Sequence, residues 1–123
     1  MSKTIINEIE INGVIYVPKS ESKNAESFDG MEYKIIRTYS AGVFAGYVES
    51  RTGKEGVIRK ARRLWRWSGA ASLSQLAEEG TKNPGECKFP CEVERVELTE
   101  IIEVLSVTEN ARKSIGGVKV WEM

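Results

Sequence analysis

The chain contains no histidine. That removes the commonest general base and the commonest metal ligand. With it go the Ser-His-Asp and Cys-His arrangements of nucleophilic catalysis. Cysteine is nearly absent too: Cys87 and Cys91 stand alone, with Lys88-Phe89-Pro90 between them. Two thiols without an imidazole do not complete a zinc site within one chain. In a cytosolic setting a disulfide is not expected either, so the pair reads as reduced thiols on or near a strand. There is no G-x-x-x-x-G-K-[ST] phosphate loop and no G-x-G-x-x-G. No apolar run approaches the length of a membrane span. The stretch Met1–Glu8 is broken by Asn7 and Glu8 and does not read as a signal peptide, so the expectation is a cytoplasmic protein with no membrane partner. These gaps point away from an enzyme: no catalytic residue, no metal site and no cofactor is expected. Glu94, Glu97, Glu100 and Glu103 offer carboxylates, but at strand spacing they read as a solvated edge.

Net charge is also absent, with 18 basic and 18 acidic residues, yet the charge is unevenly placed. From Arg51 to Trp67 there are seven basic residues and one acid; from Glu86 to Glu109 there are seven acids and two basic residues. A neutral chain with one basic segment suits a small anion, or pairing of the two segments in one sheet, better than long nucleic acid. Within Arg59–Trp67 five cations accompany two of the three tryptophans. Arginine offers planar donors for phosphate and tryptophan a face for a base. The segment runs directly into what reads as a helix start, where free N–H groups favour an anion. Arg37, Arg59, Arg62, Arg63, Arg66 and Arg112 are candidates to hold phosphate bidentately. Tyr39, Trp65, Trp67 and Phe89 are candidates to stack on a purine. Either tryptophan also fits a core position, and strand arginines are commonly paired to acids across a sheet.

At 123 residues the chain reads as a single domain, 1–123. Asn12-Gly13 between β-rich stretches predicts a hairpin over Thr4–Val17. Residues 18–30 are polar and read as a mobile loop, with Phe28 as its only aromatic and a candidate cover for a ligand. Strands are expected over Glu32–Tyr39, Val43–Ser50, Glu55–Trp67 and, as one or two, Cys91–Leu105. A helix is expected over Ala70–Glu79, capped by Ser68 or Ser72, with Ser72 and Gln75 in capping-box form and Gly80 ending it. A second, Glu109–Ile115, is capped by Thr108. Tight turns between consecutive strands give an α+β fold: an antiparallel, meander-like sheet with two short helices.

Four strings go beyond generic strand composition. They are Arg37–Tyr47 (RTYSAGVFAGY), Ala61–Ala77 (ARRLWRWSGAASLSQLA), Asn83-Pro84 with Cys87-Lys88-Phe89, and Val107–Ile115 (VTENARKSI). Together, across about Met31 to Trp121, they resemble the first type of Thoeris anti-defence protein, a small phage family. The resemblance implies a non-enzymatic sponge in the host bacterial cytoplasm. Such a sponge sequesters the cyclic ADP-ribose isomers (glycocyclic ADP-ribose) that TIR-domain immune enzymes make. It further implies a homo-oligomer of dimer units, up to a hexamer, with nucleotide sites at subunit interfaces and, in some members, added sites for cyclic oligonucleotides. The shared strings carry Arg37, Tyr39, Arg62, Arg63, Trp65, Asn83, Phe89 and Arg112 as ligand-binding candidates. Phe28, outside them, is a further one. The rival readings are an enzyme degrading a cyclic nucleotide signal and a small nucleic-acid-binding domain.

Overall fold

The turn signals at Ser40-Ala41-Gly42 and Arg51-Thr52-Gly53-Lys54 organise the sheet, the second tightening to Gly53-Lys54 because the strand before it runs on to Thr52. In the computed structural model, which describes residues 24–122, β1 (Glu32–Thr38), β2 (Val43–Thr52) and β3 (Glu55–Arg63) form consecutive antiparallel hairpins. Helix α1 (Leu73–Glu79) and a 3-10 turn at Pro84–Glu86 lead to β4 (Glu92–Leu98), which pairs with β3. Then β5 (Ile101–Ser106) pairs with β1, and α2 (Glu109–Gly116) follows. The expected hairpin over Thr4–Val17 and residues 18–23 of the expected loop lie outside the described residues.

All strand pairs are antiparallel and the order is β4-β3-β2-β1-β5, which bears out the α+β, meander-like reading. The last strand departs from a pure meander. Only Thr99-Glu100 separate β4 from β5, yet these strands lie at opposite edges. In a flat sheet they would stand about 19 Å apart. Two residues bridge at most about 11 Å. The sheet therefore rolls up at this end. The Tyr39 N–H donates to the Glu100 carbonyl and the Ile101 N–H to the Lys54 carbonyl, both at 2.9 Å, holding the link against both hairpin ends.

Rolling divides the apolar residues into two cores. Ile36, Phe44, Ile58, Ala61, Leu98 and Ile101 fill the inner face. Ile35, Ala45, Leu64, Leu76, Phe89, Ala111 and Ile115 join the other face to the helices. Alternation along each strand sends successive side chains to opposite cores. The alternation breaks most consequentially in the β2–β3 pair. Opposite Gly46, β3 carries an extra residue between the pairs Tyr47↔Arg59 and Ala45↔Arg62. Lys60 occupies this bulge with φ 51°, the left-handed region. Gly46 is required there, because a Cβ would stand 2.6 Å from Ile58 Cγ2 and 3.0 Å from the Arg59 carbonyl.

Both expected helices form, the first starting later than Ala70. Ser72 caps it through the Gln75 N–H, while Gln75 Oε1 reaches back to the Ala71 N–H at 2.7 Å. Gly80, at φ 77°, ends it. Thr108 caps α2 by accepting from the Ala111 N–H at 3.0 Å. β3 stops at Arg63, short of Trp67: the Leu64 N–H makes the last bond to β2, at Val43 where that strand begins, and Arg66 bridges Lys88 instead.

Candidate functional site

The nine residues singled out in the sequence do not meet in one place. Arg62 is the clearest case of a different task. Its guanidinium is buried and donates to the carbonyls of Pro90 (2.9 Å), Phe89 (3.1 Å), Ile115 (2.9 Å) and Val118 (2.7 Å). A buried cation without a carboxylate needs such dipoles around it, and the Ile115 carbonyl belongs to the negative end of α2. Burial pulls its pKa below the usual arginine value. Arg62 thereby ties β3 to α2 and to the segment before β4. Phe89, fully buried, packs under it with the guanidinium 5.5 Å from the ring centre.

The others lie apart. Arg37 pairs with Glu103 across the β1–β5 ladder at 2.9 Å, and Tyr39 is exposed at the turn that follows β1. Arg63 lies over the Phe44 ring at 4.5 Å, at an apolar depression also lined by Val93 and Cys91. Asn83 begins the 3-10 turn, and its side chain donates to Ser68 Oγ at 3.3 Å. Trp65 is exposed and stacks on Trp121 with ring centres 5.0 Å apart and planes 7° apart; Trp67 packs partly into the helix-side core. The Arg–Trp segment does not run directly into a helix, since residues 68–72 intervene before α1.

Phe28 and Arg112 do meet. With Tyr33, Tyr47, Lys60, Glu92 and Gly116 they line a pocket of about 300 Å³ between the sheet and α2. Tyr47 is its centre: Tyr33 meets it edge-on at 5.0 Å and Phe28 at 5.4 Å, with planes tilted by 48°. The Lys60 ammonium lies 4.8 Å from the Phe28 ring centre, an arrangement the bulge makes possible by re-aiming that side chain. Burial raises the Tyr33 hydroxyl pKa, so it stays protonated.

Phe28 is placed by a tight turn. Phe28 and Met31 exchange both backbone hydrogen bonds at 2.9 Å, and Asp29 and Gly30 both have positive φ, the signature of a type I′ hairpin. The described part of the expected loop is thus held in place. The Ala25 N–H donates to the Val107 carbonyl at 2.9 Å and the Glu26 N–H to Glu109 Oε1 at 2.8 Å. Glu109 also binds Arg112 through Nε (3.0 Å) and Nη2 (2.5 Å). The hydrogen bonds from Arg112 and from the Glu26 backbone pull the Glu109 carboxyl down to about 2. Its bond to Glu109 raises the Arg112 pKa further, so the guanidinium is always charged.

Sequence reasoning missed Tyr33, Tyr47, Lys60 and Glu92. Asp29-Gly30 was the available signal for the turn, and Lys60 stood inside the basic segment; the bulge that turns Lys60 towards Phe28 has no sequence signature. Among the described residues no group of three or more Cys, Asp or Glu side chains is placed to hold a metal ion, and no helix is long and apolar enough to cross a membrane.

Fold and pocket together define a small α+β domain with a rolled sheet and an aromatic, cation-flanked recess under its second helix. Residues 31–115, well over half of the chain, match a family described as a domain of unknown function (DUF6948), and the chain belongs to that family. No curated protein and no solved structure matches it.

Proposed function

We propose that this protein is a non-enzymatic sponge that binds and sequesters cyclic ADP-ribose isomers, glycocyclic ADP-ribose among them. The observation that carries the reading is the Phe28–Tyr47–Lys60–Arg112 pocket, which sets aromatic rings beside two cations. An adenine stacks on such rings, and the diphosphate pairs with Lys60 and Arg112. Glu92 at the same pocket supplies an acceptor for an exocyclic amine. The strings that resemble the Thoeris anti-defence family include both Arg112 and Tyr47. A recess of about 300 Å³ is at the small end for ligand sites. It takes a base and a phosphate, and a second copy of the chain covers the rest of the ligand in a homo-oligomer. Sequestration in the host bacterial cytoplasm removes the signal by mass action, so the ligand leaves unchanged.

The test is calorimetric titration with glycocyclic ADP-ribose, then heating of the complex and mass spectrometry of what is released. Saturable binding with intact cyclic ligand recovered supports the sponge. Recovery of ADP-ribose would make the protein an enzyme, and absence of binding would reject the reading.

A further inference from the structure

We propose that Glu109 is a positioning residue of this pocket, one carboxylate that fixes both the aromatic wall carrying Phe28 and the guanidinium of Arg112. The proposal rests on the reading of the pocket as a nucleotide site. An acid at the first position of a helix is favoured by the dipole in any protein, and a pair with a residue three places on is ordinary. The third bond sets Glu109 apart. Its Oε1 is shared between Arg112 Nε and the backbone N–H of Glu26, 83 residues away in the chain and two before Phe28. Oε2 takes Arg112 Nη2. The Nε–Nη2 edge of the guanidinium is therefore fixed, and of the donors that remain, those not taken by the Tyr47 hydroxyl are left for a ligand. Tyr47 lies against the same guanidinium, so the orientation of Arg112 and the central ring of the pocket are set together. A flexible arginine would lose side-chain freedom on binding; held by Glu109, it has already lost it.

Two substitutions separate the bonds. E109A removes the acceptor for both partners. E109Q keeps an amide oxygen for the Glu26 N–H but cannot hold the guanidinium edge as an anion does. Cyclic ADP-ribose is the probe, with affinity read by titration. Amide exchange at Glu26 is read by NMR in the free protein, with Leu64, whose N–H bonds Val43 inside the sheet, as control. We expect E109A to weaken binding by about tenfold or more, the size of one charged hydrogen bond. Its Glu26 amide should exchange about tenfold faster while Leu64 is unchanged. E109Q should lose affinity to a similar degree yet keep Glu26 protected. Wild-type affinity in E109A, or unchanged Glu26 exchange in it, would overturn the proposal. Absence of probe binding by the wild-type protein would instead overturn the function proposed above, while the exchange comparison still decides whether Glu109 holds the Phe28 segment.

Discussion

Two basic residues three positions apart in one strand have opposite fates. Arg62 is turned inward onto four carbonyls, and Arg59 lies half-buried between Glu49 and Glu94, at 3.0 and 2.7 Å. Its bonds to Glu94 and Glu49 raise the Arg59 pKa, and the bond to Arg59 lowers that of Glu94, yet a solvent-accessible pair of this kind adds little stability. Removing Arg62 leaves buried carbonyls without donors. R62A is expected to destabilise the fold by about 3 kcal/mol or more, checked by urea unfolding. Loss of binding in that variant would therefore report folding. Between them Lys60 holds a left-handed backbone, which costs a side-chain-bearing residue about 1–2 kcal/mol. K60G should keep stability within about 1 kcal/mol of wild type or raise it, while affinity for a cyclic ADP-ribose isomer falls about tenfold. Thermal unfolding and titration of the same sample check both; retained affinity would remove Lys60 from the site.

At the scale of elements, α2 does more than cover the sheet. Its first turn holds the Phe28 hairpin through Glu109, and the Ile115 carbonyl in its last turn receives Arg62. The pH dependence follows. Glu109 titrates near 2 in the folded protein against an ordinary value of 4.5. The bonds it makes contribute fully above about 4.5. As pH falls from there towards 2, the unfolded chain takes up a proton that the folded chain does not, and stability drops. The positive charges of Arg112 and Lys113 act on the carboxylate and favour its ionised form. Urea unfolding at pH 5 and pH 3 should show a smaller loss in E109Q than in wild type, and equal losses would argue against the depressed value. The caps at Ser72 and Thr108 and the turns at Gly42 and Gly53 were legible because each rests on a local hydrogen bond or a local positive φ. The end of β3 was not legible, because it falls where its partner β2 begins, at Val43, and the partner's end is not written in β3's own residues.

For the whole molecule, the recess balances its charges: Lys60 and Arg112 stand with Glu92 and Glu109. Binding of a diphosphate here should lose less than about tenfold in affinity between about 50 and 200 mM salt. A surface for long nucleic acid, contacting about 6–10 phosphates, would lose about 10³–10⁵ over the same range. Titrations at the two salt concentrations distinguish them.

The sequence by itself determined the α+β class, the turns that follow β1 and β2, both helix caps and a chain without histidine. Each of these is written in neighbouring residues or in composition. The tertiary structure alone decided that β5 lies beside β1, since a two-residue link between edge strands forces the sheet to roll. It alone decided which cations face a cavity. Arg62 and Lys60 are equally basic in sequence, and a single bulge opposite Gly46 sends one into the core beneath α2 and the other to the ring of Phe28. Side-chain direction along a strand depends on register with its partner, and register is a property of two segments at once.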